Sequence, residues 1–413
     1  MSILCGTDLS DASSGTLDVA CALAVARGDR EVVLVNVVDP AHASEQDLAA
    51  ARGKLDALTQ GRTGPTIRTE LVVGPADRTI VGLAETEHCD LIVIAARSAT
   101  AAKVGLTTYN VIAHAHVPVL VVRDPAPWLE LPNRARPLKL LLGMDDTATS
   151  EIGVQWVQAL RARASIEVVL AGIYYPDEAS ERYGLEMRSA VEGDPAIEQL
   201  MERDMLRRFG GDLTGVVARA RRGLGRIGDH INELAEAEKV DVIVVGTSQK
   251  TGLGRLGSVS SVIVHEAETS VLCVPPQAVV STFTVPILRG VMVATDLSAF
   301  SNRAVPWAFA VAEPDAEIHV VHVVKDDEQV DVPEVTRALF ALAPAGAKQI
   351  IRAHIVHGDD AALAIAQCAA RLGVDVICIA SHGRSGISRA LVGSVADRLL
   401  RATRMPVLVL RPA

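Results

Sequence analysis

Near the C-terminus a glycine, nine residues, a second glycine and a serine follow one another: Gly383, the stretch Arg384 to Val392, then Gly393-Ser394. Glycine lets a backbone come close to a ligand where a Cβ would block it. Gly393-Ser394 stands directly before the helical pattern Val395 to Ala402. The first turn of a helix leaves N–H groups without partners at the positive end of the dipole. An anion placed there gains about 0.3–1 kcal/mol, with hydrogen bonds adding to that. This is the chemistry of a phosphate cradle, in which the Ser394 hydroxyl donates to a phosphate oxygen or caps the helix. Upstream, Asp296-Leu297-Ser298 ends a short apolar strand. Asp296 is read there as a carboxylate at the edge of a ligand, with a plain loop carboxylate as the alternative.

Such residues act together only if the chain folds them to one place, and an internal repeat says how it does so. Three segments open on an apolar strand that ends in Asp and a hydroxyl residue: Leu4 to Ser10, Leu141 to Thr147 and Met292 to Ser298. Each is followed by a helical pattern and a second strand, at Val32 to Val38, Ile166 to Ile173 and Ile318 to Val324. Each then has an apolar strand behind an acidic residue (Asp90, Asp241, Asp375) and closes on a last strand, as in Met405 to Leu410. Proline-rich joints lie between the copies, at Asp124 to Pro137 and Pro275 to Pro286, because proline cannot feed a central strand. The expected domains are therefore 1–127, 128–277 and 278–413. Strands alternating with helices imply right-handed crossovers and a parallel sheet covered on both faces. The fold class is α/β: three tandem doubly wound domains, each with a five-stranded parallel sheet flanked by helices. In such sheets ligands bind beyond the carboxyl ends of the strands where the strand order reverses. In the third copy that place holds Asp296 to Ser298 and Ala380 to Gly386. The extra polar sequence of the second copy, Tyr174 to Asp212, is read as a solvated surface helix with loops.

At these residues the chain resembles the universal stress protein family. The nucleotide signature of that family is Gly, two residues, Gly, nine residues, Gly, then Ser or Thr. Gly383, Gly393 and Ser394 match it, whereas Ala380 stands in place of the first glycine. Ser381-His382-Gly383-Arg384 and the closing Met405 to Val409 are similar to the family as well. The resemblance covers nearly the whole chain and is most specific in residues 288–413. It implies an α/β domain that binds ATP, with ADP or AMP as alternatives. By position, Asp296, Ser298 and the backbone at Val323 would face adenine or ribose. Ala380, His382, Gly383, Arg384, Gly393 and Ser394 would lie along the ribose and phosphates. Domains of this family pair through their last strands, so an odd number of copies implies a homodimer made through Val407 to Leu410.

The other two copies depart from the signature. The second keeps Gly246 but has Gln249 at the next glycine position and a spacer two residues shorter before Gly257-Ser258. The first has Ala95, Ser98 and Gly105-Leu106. The third copy is therefore expected to be occupied, the first empty and the second doubtful.

The rest of the sequence narrows the function classes. A net charge of −10 without a long basic block argues against nucleic acid. No apolar run reaches the roughly 18 residues of a membrane span. Ile3-Leu4-Cys5 enters a strand at once, without room for a signal peptide, so the expected location is the cytoplasm. Hydrophobic residues make up 49% and aromatics 3%, which calls for an aliphatic core. The six cysteines lack a Cys-x-x-Cys pair and read as buried reduced thiols. His114 and His116 have no further ligand at metal spacing, so no metal is expected; His319 and His322 alternate with valines, as on a strand leading to the crevice rim, where His322 reads as a packing residue. No nucleophile elbow or Walker loop is present. No catalytic residue is assigned. Three readings result: an ATP-binding regulatory module, a non-binding interaction protein of the same family, and, least favoured, a slow ATPase.

Overall fold

A computed structural model describes residues 2–96, 104–131, 136–189, 191–247, 259–278, 288–381 and 394–410. The first repeat runs β1 (Ser2–Thr7), α1 (Asp11–Arg27), β2 (Glu31–Val38), α2 (Glu45–Thr59), β3 (Thr66–Val73), α3 (Ala76–Thr86), β4 (Leu91–Ala95), α4 (Leu106–His114) and β5 (Val119–Val122). A short α5 (Ala126–Leu129) leads into the second repeat. That repeat comprises β6 (Leu138–Gly143), α6 (Ala148–Arg161), β7 (Ile166–Tyr174), α7 (Pro176–Tyr183), α8 (Pro195–Phe209), β8 (Val216–Arg222), α9 (Ile227–Ala237), β9 (Val242–Gly246), α10 (Val259–Glu266) and β10 (Ser270–Val274). The third has β11 (Gly290–Ala294), α11 (Ala304–Val311), β12 (Glu317–Val324), α12 (Val332–Ala341), β13 (Ile350–His357), α13 (Ala361–Leu372), β14 (Val376–Ala380), α14 (Ser394–Ala402) and β15 (Val407–Leu410).

Every repeat orders its strands third, second, first, fourth, fifth. The five-stranded unit expected from the sequence is present three times, and the first two are fused into one ten-stranded sheet. The seam is an antiparallel pairing, β5 against β10, with Leu120 opposite Leu272, Val121 opposite Val271 and Val119 opposite Cys273. Leu120 and Leu272 occupy the same place in their repeats, so the seam is a pseudo-twofold centred on that pair. Arg123 reinforces it, its guanidinium donating to the Val264 carbonyl at 2.6 Å. By compactness the chain falls into residues 1–173 with 205–283, and residues 174–204 with 284–413.

Alternation decides which side chains meet which helices. In the third repeat Val291, Val293, Val376 and Cys378 pack with α11 and α12. Met292, Ala294, Ile377 and Ile379 pack on the opposite face with α13 and α14. Each fully buried Val, Ile or Leu contributes roughly 1.5–3 kcal/mol relative to exposure, so the aliphatic composition suffices for a core. The acidic residue before the fourth strand ties that strand to the first. The Asp375 carboxylate accepts from the N–H groups of Arg289 and Gly290, both at 2.8 Å, and Asp241 accepts from Lys139 N–H at 2.9 Å.

One expectation is corrected. The insertion in the second repeat is not a solvated appendage. Tyr174, Ala179, Tyr183 and Ile197 form a buried cluster with Ala370 of α13. The Tyr183 hydroxyl donates to Asp204 at 2.9 Å, Gln367 of α13 donates to the Glu181 carbonyl at 3.2 Å, and Arg203 donates to the Ala370 carbonyl at 3.0 Å. Its Glu and Arg residues hid an apolar face.

Five cysteines are buried and Cys21 is half-buried. Burial pushes the Cys273 and Cys378 thiols up to about 12, far from the thiolate that reacts. An aromatic disulfide reagent at neutral pH should therefore titrate at most Cys21 quickly in the native chain, and all six cysteines after unfolding in denaturant. Rapid native modification of Cys378 would contradict this packing.

Candidate functional site

In the third repeat the chain leaves β11 toward α11 on one face and leaves β14 toward α14 on the other. The reversal of strand order thus falls between β11 and β14, whose last registered pair is Ala294 with Ile379. Beyond it the β11 side ends in a tight polar turn. The Asp296 carboxylate accepts from Ser298 N–H at 2.9 Å and, through the same oxygen, from the Ser301 hydroxyl. Thr295 is buried; its hydroxyl accepts from Leu297 N–H at 3.0 Å and donates to the Asn302 side-chain oxygen at 2.7 Å. Leu297 sits at φ 64°, a left-handed conformation costing a leucine about 1–3 kcal/mol, which persists only where surroundings impose it. Partial burial raises the Asp296 carboxyl, but hydrogen bonds from Ser298 and Ser301 outweigh it and hold the group below the usual carboxylate range. Asp296 is ionised at neutral pH. Oδ1 belongs to the turn, which leaves Oδ2 outside those bonds on an exposed residue. A carboxylate repels phosphate and accepts from hydroxyls, so the chemistry at this end suits a sugar.

His322, read from the sequence as a packing residue on a strand leading to the crevice rim, also contacts the backbone at this end of the sheet. Its Nδ1 lies 2.9 Å from the Thr295 carbonyl, so that nitrogen carries the proton. In the first repeat Asn36 stands at the same place and donates to the Thr7 carbonyl at 2.9 Å. The signal was the register, with the side chain one residue past the last β11–β12 pair, Ala294 with Val321. Val323 lies just beyond, where β12 continues alone past β11 while paired with Val356 of β13.

On the other strand Ala380 ends β14, half-buried and opposite Leu410, and Ser381 N–H donates to the Leu410 carbonyl at 2.8 Å. Ser394 is the first residue of α14 and is exposed. Asp397 in that first turn, bridged to Arg401 at 3.3 Å, already supplies a negative charge to the positive helix end. The topology thus brings Asp296, Ser298, Val323 and Ala380 to one end of the sheet. His382, Gly383, Arg384 and Gly393 lie outside the described residues.

The turn is common to the copies; the opposite side of the crevice is not. In the first repeat Ser10 N–H donates to Asp8 at 3.0 Å and Leu9 repeats the strained φ at 60°. Facing it, Val104 is buried, Gly105 N–H donates to the Ala96 carbonyl at 3.2 Å and the Thr108 hydroxyl donates to the Ala95 carbonyl at 3.1 Å. These bonds lace the first turn of α4 to the end of β4. In the third repeat Ala396 occupies the Thr108 position and has no hydroxyl to make that tie. In the second repeat Thr147 N–H donates to Asp145 at 2.9 Å, but a Cβ added at Gly246 would stand 2.6 Å from the Thr149 methyl. Gly246 gives room to a side chain of the protein itself.

The sequence profile of the universal stress protein family matches this chain three times, at residues 1–123, 138–275 and 288–411. A universal stress protein of Mycobacterium tuberculosis (strain ATCC 25618 / H37Rv) is 31% identical over 191 residues, covering 42% of this chain and 63% of that protein. The chain therefore spans less than two thirds of that relative. One from Mycolicibacterium smegmatis is 27% identical over 296 residues, covering 66% of this chain and 97% of its own length. Among solved structures, a universal stress protein of Archaeoglobus fulgidus DSM 4304 aligns with a TM-score of 0.48 at 15% identity, over 67% of this chain and 98% of that one. A universal stress protein in complex with cAMP aligns with a TM-score of 0.27 at 25% identity, over 31% of this chain and 99% of that one.

The Thr149 contact makes a test. Gly246→Ala should cost about 1–3 kcal/mol of stability from overpacking, and Thr149→Gly in the same chain should recover most of it. Denaturant unfolding of the two single variants and the double variant measures the coupling. Additive losses would show that the two residues do not share that space.

Proposed function

Since the chain belongs to the universal stress protein family, we propose that it is a stress-response module whose third repeat holds an adenine nucleotide, ATP foremost, as a regulatory ligand. The observation that carries this reading is the pairing of Gly383-x9-Gly393-Ser394 in the sequence with the ionised Asp296 turn at the strand-order reversal. Phosphates go to the glycine loop and the N-terminus of α14, and a ribose hydroxyl goes to Asp296 Oδ2. The nucleotide regulates only by binding one state of the chain better than another. The first repeat has spent the matching backbone groups on itself and the second has Thr149 at Gly246, so one nucleotide per chain is the expected stoichiometry. Among the described residues no helix is long and apolar enough to cross a bilayer, and the proposed setting is the cytoplasm. Ala380 in the place of a glycine favours the second reading, an interaction protein without ligand.

Two copies of the chain pair through β15 in this proposal. β5 and β10 are wholly buried in their seam, whereas β15, an edge strand in its own sheet, is half-buried along its length. The same pseudo-twofold applied to β15 sets Leu408 against Leu408 of the second copy and Val407 against Val409, and completes a hydrophobic edge that invites pairing.

Gently purified full-length chain, analysed by mass spectrometry after denaturation, should release about one equivalent of adenine nucleotide. Asp296→Ala and Ser394→Ala should each weaken ATP binding by on the order of tenfold, a hydrogen bond to a charged group being worth about 1.5–3 kcal/mol. No retained ligand and no calorimetric binding at millimolar ATP, ADP, AMP or cAMP would leave the interaction protein standing. Phosphate release from ATP that vanishes in both variants would favour the slow ATPase. For assembly, light scattering should give a dimer, and Leu408→Lys a monomer with unchanged ATP binding; a monomeric wild type at micromolar concentration refutes the pairing.

A further inference from the structure

α11 has the sequence Ala-Val-Pro-Trp-Ala-Phe-Ala-Val, without a single charge. Ala304, Val305, Ala308 and Phe309 face the sheet. The outer side is apolar too: Pro306, Trp307, Ala310 and Val311 are exposed, Trp307 at 54%. A helix that is apolar all round is normally buried all round.

The first repeat shows what such a stripe receives. Counted from Asp8 and Asp296, Gly15, Val19 and Leu23 of α1 correspond to Arg303, Trp307 and Val311. Val19 and Leu23 are fully buried. α5 lies against α1, the Pro125 ring is 3.0 Å from where a Gly15 Cβ would be, and Trp128 is 1% exposed. The covering piece is a short helical turn with one large aromatic anchor, between Asp124 and Glu130. In the second repeat the matching Ile152 and Trp156 are half-buried. In the third repeat Arg303 replaces Gly15, its guanidinium set 5.9 Å from the Phe300 ring. That arginine closes the seat for a proline ring but puts a cation at the head of an open Trp307–Val311 stripe.

We propose that the outer stripe of α11 is a docking surface for a helical segment of a partner protein, anchored by one large aromatic side chain and flanked by an acidic residue opposite Arg303. An eight-residue helix about 12 Å long and about 10 Å across presents a face on the order of 120 Å², far short of the roughly 800 Å² per partner that a stable dimer buries. The stripe therefore fits a segment rather than a second copy, and it lies on a face of the sheet, not at the β15 edge. The aromatic anchor follows from what α1 accepts, the acidic flank from Arg303 being the one charge on the stripe. A hot spot of this kind is led by Trp and Arg.

The test uses the full-length chain labelled with 5-fluorotryptophan, whose Trp128, Trp156 and Trp307 give three fluorine resonances, Trp307 being assigned with Trp307→Phe. The probe is an unlabelled peptide copying Asp124–Leu131 with Pro125→Ala, since Arg303 closes the seat for that ring. Titration should shift the Trp307 resonance saturably, and Arg303→Glu should weaken binding by on the order of tenfold while Trp128 and Trp156 keep their native resonances. A peptide carrying Asp124→Asn and Glu130→Gln should lose affinity for the wild-type chain to a similar extent. No movement of Trp307 at millimolar peptide overturns the proposal. So does movement with protein concentration alone, which would make a second copy the occupant, or movement with phosphatidylcholine vesicles and not with peptide, which would make it a lipid surface.

Discussion

The whole arrangement rests on one constraint of parallel sheets: a strand and its parallel neighbour must be joined by a crossover, and the hand of that crossover is fixed. With the order third, second, first, fourth, fifth, crossovers from the first strand go to one face and those after the fourth to the other. Two chains leaving adjacent strand ends in opposite directions cannot close the gap between them. Backbone N–H groups, a carboxylate and a helix start are left around it. The three repeats differ in what they do with that gap. The first draws Val104 inward and spends Gly105 N–H on Ala96. The second seats Thr149 against Gly246. The third has neither device among the described residues.

The turn around the first-strand aspartate survives in all three repeats, whatever becomes of the facing side. Ser10, Thr147 and Ser298 each donate a backbone N–H to the aspartate two residues before. That bond closes an Asx turn, which a sequence keeps for local reasons. Retention of the aspartate is therefore a poor guide to ligand binding, and the loop on the far side is the discriminating feature. This is why Ala95–Thr108 and Gly246–Thr149 say more about the first two repeats than Asp8 or Asp145.

Much of this was legible in the sequence because it is periodic. Runs such as Asp375-Val376-Ile377-Cys378-Ile379 have the length and β-branching of buried strands, and three sets in one order gave both repeat and topology. The strand-end position of Asp296 and the start of α14 followed from the same pattern. What depends on register was hidden. Whether His322 meets Thr295, or which backbone groups Asp375 ties, is fixed by which residue lies opposite which, and composition carries no trace of it. The insertion misled for another reason. Its charged residues dominate the count, yet one face of two short helices suffices to bury Tyr183 and Ile197.

That insertion has an implication for how the gene can be cut. Residues 174–204 are encoded within the second repeat but complete the hydrophobic cover of α13 in the third. The proline joint that looks like a natural seam is thus not the boundary of a portable module. A fragment beginning at 288 would lay bare the α13 surface that Tyr183 and Ile197 shield, and one ending at 278 would leave those two side chains in water. Cutting or shuffling whole repeats would separate the insertion from the helix it covers, although the third repeat has a five-stranded sheet of its own.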